Sequence, residues 1–240
     1  MKDKPIIMSA ESVRPIFEGR KTQTRRMVSN LDNFGLEFTH VMNVSENDKV
    51  APLYEFSAFG MTSRQCYKGA KLDVQIRSPY QIGQRLWVRE TWGIGCRPHT
   101  YSGWVDGVEY KADELFIDDK ISLPLNVIDD RDLSKYESDG WQSPIFMPRW
   151  ASRLTLEVVG IRCERLQDIT EKDAVAEGIT ERYIAKGGAF TRVSKILHEH
   201  GEVGTLRNGY AVEWTNLNAK RGYPWDSNPW VWVISFKVVK

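Results

Sequence analysis

Eight residues near the N-terminus, Gly19-Arg20-Lys21-Thr22-Gln23-Thr24-Arg25-Arg26, place a lysine, two threonines and three arginines behind an apolar segment. Among neighbouring cations a lysine can serve as a base, and the hydroxyl of Thr24, or a water it holds, is a group that a neutral amine could deprotonate. Glu177, in Thr170-Glu171-Lys172-Asp173-Ala174-Val175-Ala176-Glu177-Gly178, adds a carboxyl group. At the end of a short helix the macrodipole opposes its negative charge, so Glu177 is expected to donate a proton to a departing amine. Nucleophile, base and acid are what hydrolysis of an N-acyl bond requires. Taken singly, each residue has a plainer role: Lys21 as a cation near a helix C-terminus, Thr24 as a turn former, Glu177 as an exposed partner of Lys172 or Lys186.

Further residues suit a ligand. Arg20 and Arg26 fit a phosphate or another anion, Arg26 and Arg89 suit orienting a substrate, and Trp87 and Trp92 suit stacking on a pyrimidine. Arg149 and Arg153 flank Trp150 in an order suited to stacking and phosphate contacts. The alternatives are ion pairing for the arginines, core packing for the tryptophans and a solvated strand edge for residues 149–153.

The elements must position these groups. Residues 4–8 read as a strand, and Ser9 or Ser12 caps a helix running to about Glu18. A start at Ser12 puts Pro15 in the first turn; a start at Ser9 implies a kink. Gly19 stops the helix. Lys21 and Thr24 then meet only on a turned backbone, because an extended strand sets them on opposite sides. Residues 83–90 predict a strand with Leu86 and Val88 on one face and Arg85, Trp87 and Arg89 on the other. Residues 154–166 predict another, with a bulge at Gly160. Thr170 opens a short helix in capping-box form, with Asp173 as the acidic partner and Gly178 as the stop. Helices are expected over residues 192–199 and 209–220. Residues 229–239, apolar on both faces, predict a central strand of a barrel-like sheet. Residues 28–82 and 93–146 read as two insertions in a single domain of residues 1–240, leaving a core of about 4–27, 83–92 and 147–240. The first insertion promises little regular structure. The second carries a hairpin signal at Val105-Asp106-Gly107-Val108 and, over residues 113–139, a solvated flap with nine acidic residues against three basic.

Composition narrows the classes. In 240 residues, 33 Lys plus Arg face 32 Asp plus Glu, so no global field recruits nucleic acid and any polyanion site must be local. Three scattered cysteines without a C-x-x-C pair argue against a disulfide framework and a zinc knuckle, and fit a reducing cytoplasm. His198-Glu199-His200 has spacing that separates its rings on a helix, so no metal site is expected. No G-x-G-x-x-G or G-x-x-x-x-G-K-[ST] motif supports a nucleotide cofactor, and no cofactor is expected. A signal peptide and an apolar run of membrane-spanning length are both missing, which predicts a soluble protein that is not exported.

Gly19-x-Lys21-x-x-Thr24-x-Arg26 after a short helix, the strand Gly83-Gln84-Arg85-Leu86-Trp87-Val88, the segment around Ala176-Glu177-Gly178 and the closing Trp230-Val231-Trp232-Val233-Ile234-Ser235-Phe236 together resemble the ASCH domain, a member of the PUA-like superfamily of RNA-associated β-barrels. The resemblance covers roughly residues 4–27, 83–92 and 147–240. It implies an α+β fold, a PUA-like mixed β-barrel flanked by short helices. Residues 147–153 add a similarity to longer members encoded by bacteriophages and prophages, which would place the protein in a host cytoplasm. Small bacterial ASCH proteins include amidohydrolases that remove the acetyl group of N4-acetylcytidine with a lysine, a threonine and a glutamate, and those positions correspond to Lys21, Thr24 and Glu177. The expected partner is thus a modified nucleoside or RNA, or a modified base in DNA. Binding without chemistry, metal-independent RNA cleavage, and a protein partner for the acidic flap are the other readings. The doubled Arg25-Arg26 and Gly178 after the glutamate depart from the family pattern.

Overall fold

The computed structural model describes residues 2–29, 31, 38–45, 51–59, 71–99, 103–118, 140–187, 189–193 and 203–239. In chain order the strands are β1 (Lys4–Ile7), β2 (Gln23–Met27), β3 (Phe38–Asn43), β4 (Leu53–Phe59), β5 (Lys71–Arg77), β6 (Arg85–Arg89), β7 (Trp92–His99), β8 (Gly103–Tyr110), β9 (Leu115–Asp118), β10 (Thr155–Arg165), β11 (Tyr183–Lys186), β12 (Ala189–Arg192) and β13 (Trp230–Val238). The α-helices are α1 (Ala10–Phe17), α2 (Glu171–Ala176) and α3 (Leu206–Asn218). The fold is mixed α+β and mostly sheet. Among the described residues no sheet closes on itself, so the expected barrel is replaced by open sheets. The chain divides into two compact units, one of residues 1–19, 84–157 and 238–240, the other of residues 20–83 and 158–237.

In the first unit β1 runs parallel to β6, with Ile6 opposite Val88, and β6 pairs antiparallel with the first three residues of β10. Ser9 rather than Ser12 caps α1, accepting from the Ser12 N–H, and Pro15 lies inside the helix, which ends at Phe17. Leu86 and Val88 are buried as the alternation requires, but so is Trp87, because the Arg89 and Arg149 guanidinium groups cover its ring. The second predicted insertion is an antiparallel sheet, β7-β8-β9. Asp106-Gly107 forms no turn: it lies within β8, opposite Cys96 and Gly95. A Cβ at Gly95 would come within 2.5 Å of the flexible Glu109 side chain, so glycine there leaves that side chain room. Trp92, Val108, Tyr110, Met147 and Ala151 form this unit's cluster beneath Trp150. Of the acidic flap, residues 119–139 lie outside the described residues.

In the second unit β13 lies between β10 and β2, antiparallel to β2 with Ile234 opposite Thr24. Gly160 causes no break, and β10 continues through it. The reason β13 is apolar on both faces is that both are covered. Val231 and Val233 join Leu166, Ala174, Tyr210, Trp214 and Trp225 on the helical side. Trp230 and Trp232 pack edge-on against Phe56 and Tyr54 on the other. Phe56 and Tyr54 belong to β3-β4-β5, an antiparallel sheet where little regular structure was expected. The period-two aromatics of Tyr54-Glu55-Phe56-Ser57 carry its signal. Residues 194–199 of one predicted helix lie outside the described residues, and Arg192 itself ends β12. The other is α3, starting three residues earlier than predicted.

Candidate functional site

Two local structures bring Lys21 to Glu177. The capping box of α2 forms as read: Thr170 Oγ1 accepts from the Asp173 N–H, and Asp173 Oδ2 accepts from the Thr170 N–H. Glu177 closes the helix, and Gly178 takes φ +88°, which turns the chain away. The segment leading into β2 is stitched to this helix end. The Thr22 N–H donates to the Ala176 carbonyl at 2.8 Å, and the Thr22 carbonyl accepts from the Phe236 N–H of β13 at 2.9 Å. Arg20 Nη1 donates to the Gly178 carbonyl at 2.9 Å. Lys21 is thereby aimed at the C-terminus of α2, not that of α1.

Lys21 Nζ donates to Glu177 Oε2 at 2.7 Å and to the Glu177 carbonyl oxygen at 2.8 Å. Glu177 is not an exposed partner of Lys172 or Lys186: it is 3% exposed, as is Lys21. Its second oxygen, Oε1, accepts from Arg25 Nη1 at 2.9 Å. Arg25 Nη2 in turn donates to Glu164 Oε1 at 2.6 Å and stands 3.7 Å from Asp173 Oδ2. Arg162 bridges Glu164 and Asp173, each at 2.8 Å, and Gln23 Nε2 also donates to Asp173. Burial alone would raise the Asp173 pKa, yet hydrogen bonds from Thr170 and Gln23 and the charge of Arg162 hold it well below the usual carboxylate range. Burial likewise works against the Arg25 cation, but Glu177 and the other anionic groups around it win and raise its pKa. The Tyr210 ring lies 5.6 Å from the Arg25 guanidinium, and burial beside Glu177 pushes its hydroxyl well above its ordinary pKa.

Thr24 does not join this pair. Lys21 precedes β2, and Thr24 lies within it as extended backbone. The pleat puts Gln23 and Arg25 on the face that meets the α2 carboxylates, so Thr24 and Arg26 lie on the other, opposite Ile234 and Trp232. Among the described residues the bonds of Lys21 go to Glu177 alone. The helix-end dipole is also not what Glu177 faces, since a lysine and an arginine neutralise it.

The remaining predicted contacts lie in the first unit. Trp87 is buried, with the Arg89 and Arg149 guanidinium carbons 4.6 and 5.7 Å from its ring centroid. Arg89 donates to the Ile145 carbonyl, and Arg149, half exposed, stands 3.6 Å from Asp3. Trp150, partly buried, makes a T-shaped contact with Trp92, ring centroids 6.2 Å apart. Arg153 is not available to phosphate: it forks onto Glu90 with two 2.9 Å bonds, reaches Asp113 at 2.8 Å and covers the Tyr110 ring. Burial raises the Glu90 pKa against the pull of Arg153. Sequence reasoning missed Arg25 as part of the site. Its signal was the alternation Lys21, Gln23, Arg25, which sends three polar side chains to one face. Among the described residues no group of three or more His, Cys, Asp or Glu side chains could hold a metal ion. No described helix is long and apolar enough to cross a membrane. No protein-family model, no curated protein and no solved structure matches the chain.

Proposed function

We propose that the protein is an ASCH-type, PUA-like amidohydrolase that removes an acyl group from a modified nucleoside or base of the N4-acetylcytidine kind. One observation carries the reading: an amine and a carboxyl group 156 residues apart in sequence meet at 2.7 Å, both almost wholly buried. A buried ion pair is a poor device for stability alone, since apolar residues of similar volume often do as well or better. Exposed Arg20 and Thr22 flank Lys21 in the chain.

In this reading Lys21 passes a proton to Glu177 along their hydrogen bond. The neutral amine draws a proton from the nucleophile as it attacks the acyl carbon. Glu177 delivers its proton to the departing exocyclic nitrogen, and the acyl group leaves as a carboxylic acid. Because Thr24 is on the other face of β2, a water held by Lys21 is the nucleophile that the geometry favours. Exposed Arg20 suits an anionic substituent of the substrate.

The test is direct. Purified protein incubated with N4-acetylcytidine should release cytidine, and Lys21→Ala should abolish that release while the protein stays folded. A fully active Lys21→Ala protein would overturn the mechanism. The completeness of the ion pairing favours a second reading, a module that grips RNA or a modified base without chemistry. No cytidine release, together with nucleic-acid binding that weakens as salt rises, would select it. Loss of RNA that survives chelator but not Lys21→Ala would instead indicate a ribonuclease.

A further inference from the structure

We propose that Arg25 is a positioning residue: it fixes the Glu177 carboxyl group against Lys21 and keeps the surrounding charges matched whether that pair is ionised or neutral. This rests on the acid–base role proposed for Lys21 and Glu177. Arg25 lies outside the set of chemical groups drawn from the family pattern, and the doubled Arg25-Arg26 is one of the places where this chain departs from that pattern.

The argument begins with connectivity. Arg25 is the only side chain among the described residues that bonds Glu177 Oε1, and Lys21 bonds Oε2, so the two cations hold the carboxyl plane from both ends. The Arg25 side chain is fully buried, and its fork reaches Glu164 at 2.6 Å as well as Glu177 at 2.9 Å. A guanidinium locked by two carboxylates has little freedom left, which is what sets an acceptor oxygen within a few tenths of an ångström.

Charge balance gives the second half. Lys21, Arg25 and Arg162 face Glu177, Glu164 and Asp173, three cations against three carboxylates joined in one run of contacts. When the Nζ–H bond of Lys21 breaks and an O–H bond forms on Glu177 Oε2, the electron pair stays on nitrogen. One positive and one negative charge vanish together. Arg25 and Arg162 then remain opposite Glu164 and Asp173, two against two, so no buried charge is stranded. With Glu177 as its sole partner, Arg25 would oppose that transfer strongly. Glu164 is therefore the group that lets Arg25 hold Glu177 without locking the proton on the lysine.

The experiment uses the full chain with Arg25→Met, Arg25→Lys and Glu164→Gln. Turnover of N4-acetylcytidine by Arg25→Met should fall on the order of 100-fold in kcat with KM changed less than about twofold. Arg25→Lys should recover part of the loss, because it keeps the charge but not the fork. In a crystal structure of Arg25→Met, or of Arg25→Lys if the first variant does not fold, Glu177 should leave its place against Lys21. Glu164→Gln should move the pH–rate profile, which a purely structural role would leave in place. Glu177 unmoved in the variant crystal, or an unchanged kcat in an active series, overturns the inference. Displaced Glu177 in a protein whose wild type releases no cytidine supports the positioning role and sinks the hydrolase reading alone.

Discussion

The two units each hold an ion cluster with a buried centre, and the clusters are built differently. In the first unit one cation, Arg153, serves two carboxylates, Glu90 and Asp113, and is closed over by the Tyr110 and Phe17 rings. In the second, three cations alternate with three carboxylates, and one of the cations is a lysine. An arginine does not give up its proton, so the first cluster offers no nitrogen that could act as a base. A lysine can, and that is the difference on which the proposed chemistry rests. Arg153 looked like a phosphate ligand in the sequence and is structural; Lys21 looked like a helix cap and is both a cap and the proposed base.

The largest effect that would separate the clusters is on turnover. Lys21→Met should lose roughly 10²–10⁴-fold in kcat while circular dichroism reports an unchanged fold. The next is on stability. Arg153→Met strands Glu90, which is 1% exposed, and should cost roughly 3–5 kcal/mol in urea unfolding. Lys21→Met leaves Glu177 in the grip of Arg25, so its cost should be nearer 1–3 kcal/mol. Equal losses would erase the distinction.

Acidity gives a smaller contrast of opposite sign. Asp173 is held below its unfolded value of about 3.9, so its contribution is fully present above that pH and is lost as pH falls through the lowered folded value. Glu90 is raised, so its contribution is fully present below the unfolded value of about 4.3 and is lost as pH rises through the folded one. Urea unfolding across pH should show wild type losing ground to Asp173→Asn on acidification and to Glu90→Gln on the way up. Parallel slopes would refute the contrast. The smallest effect concerns the alcohol. If water attacks, Thr24→Val should change kcat less than about threefold; a loss comparable to that of Lys21→Met would restore Thr24 as the nucleophile.

The parts legible in the sequence were those that local chemistry decides. Thr170, Asp173 and Gly178 fix α2 by capping, and that fixes where Glu177 sits. Residues 230–236 announce a central strand because no polar residue interrupts a face until Ser235. What was illegible depended on partners distant in sequence. Residues 53–59 alternate as a strand should, but their role is clear only once Tyr54 and Phe56 are seen to cover the tryptophans of β13. Arg25 and Arg153 carry the same charge in a sequence, and nothing nearby tells that each will be claimed by carboxylates up to 152 residues away. The relation of Lys21 to Thr24 turned on whether the backbone was extended there, a choice made by the pairing of β2 with β13.

The bond from the Phe236 amide to the Thr22 carbonyl has a consequence for how the molecule comes together. It ties the segment bearing the amine to the closing strand, more than two hundred residues along the chain. Loops of that length must be closed before their contacts give anything back, so the joining of amine and carboxyl belongs to the last stage of folding. A nascent chain can build its early helix and turns long before Lys21 and Glu177 meet, so the chemistry proposed for that pair would wait for β13 to pair with β2.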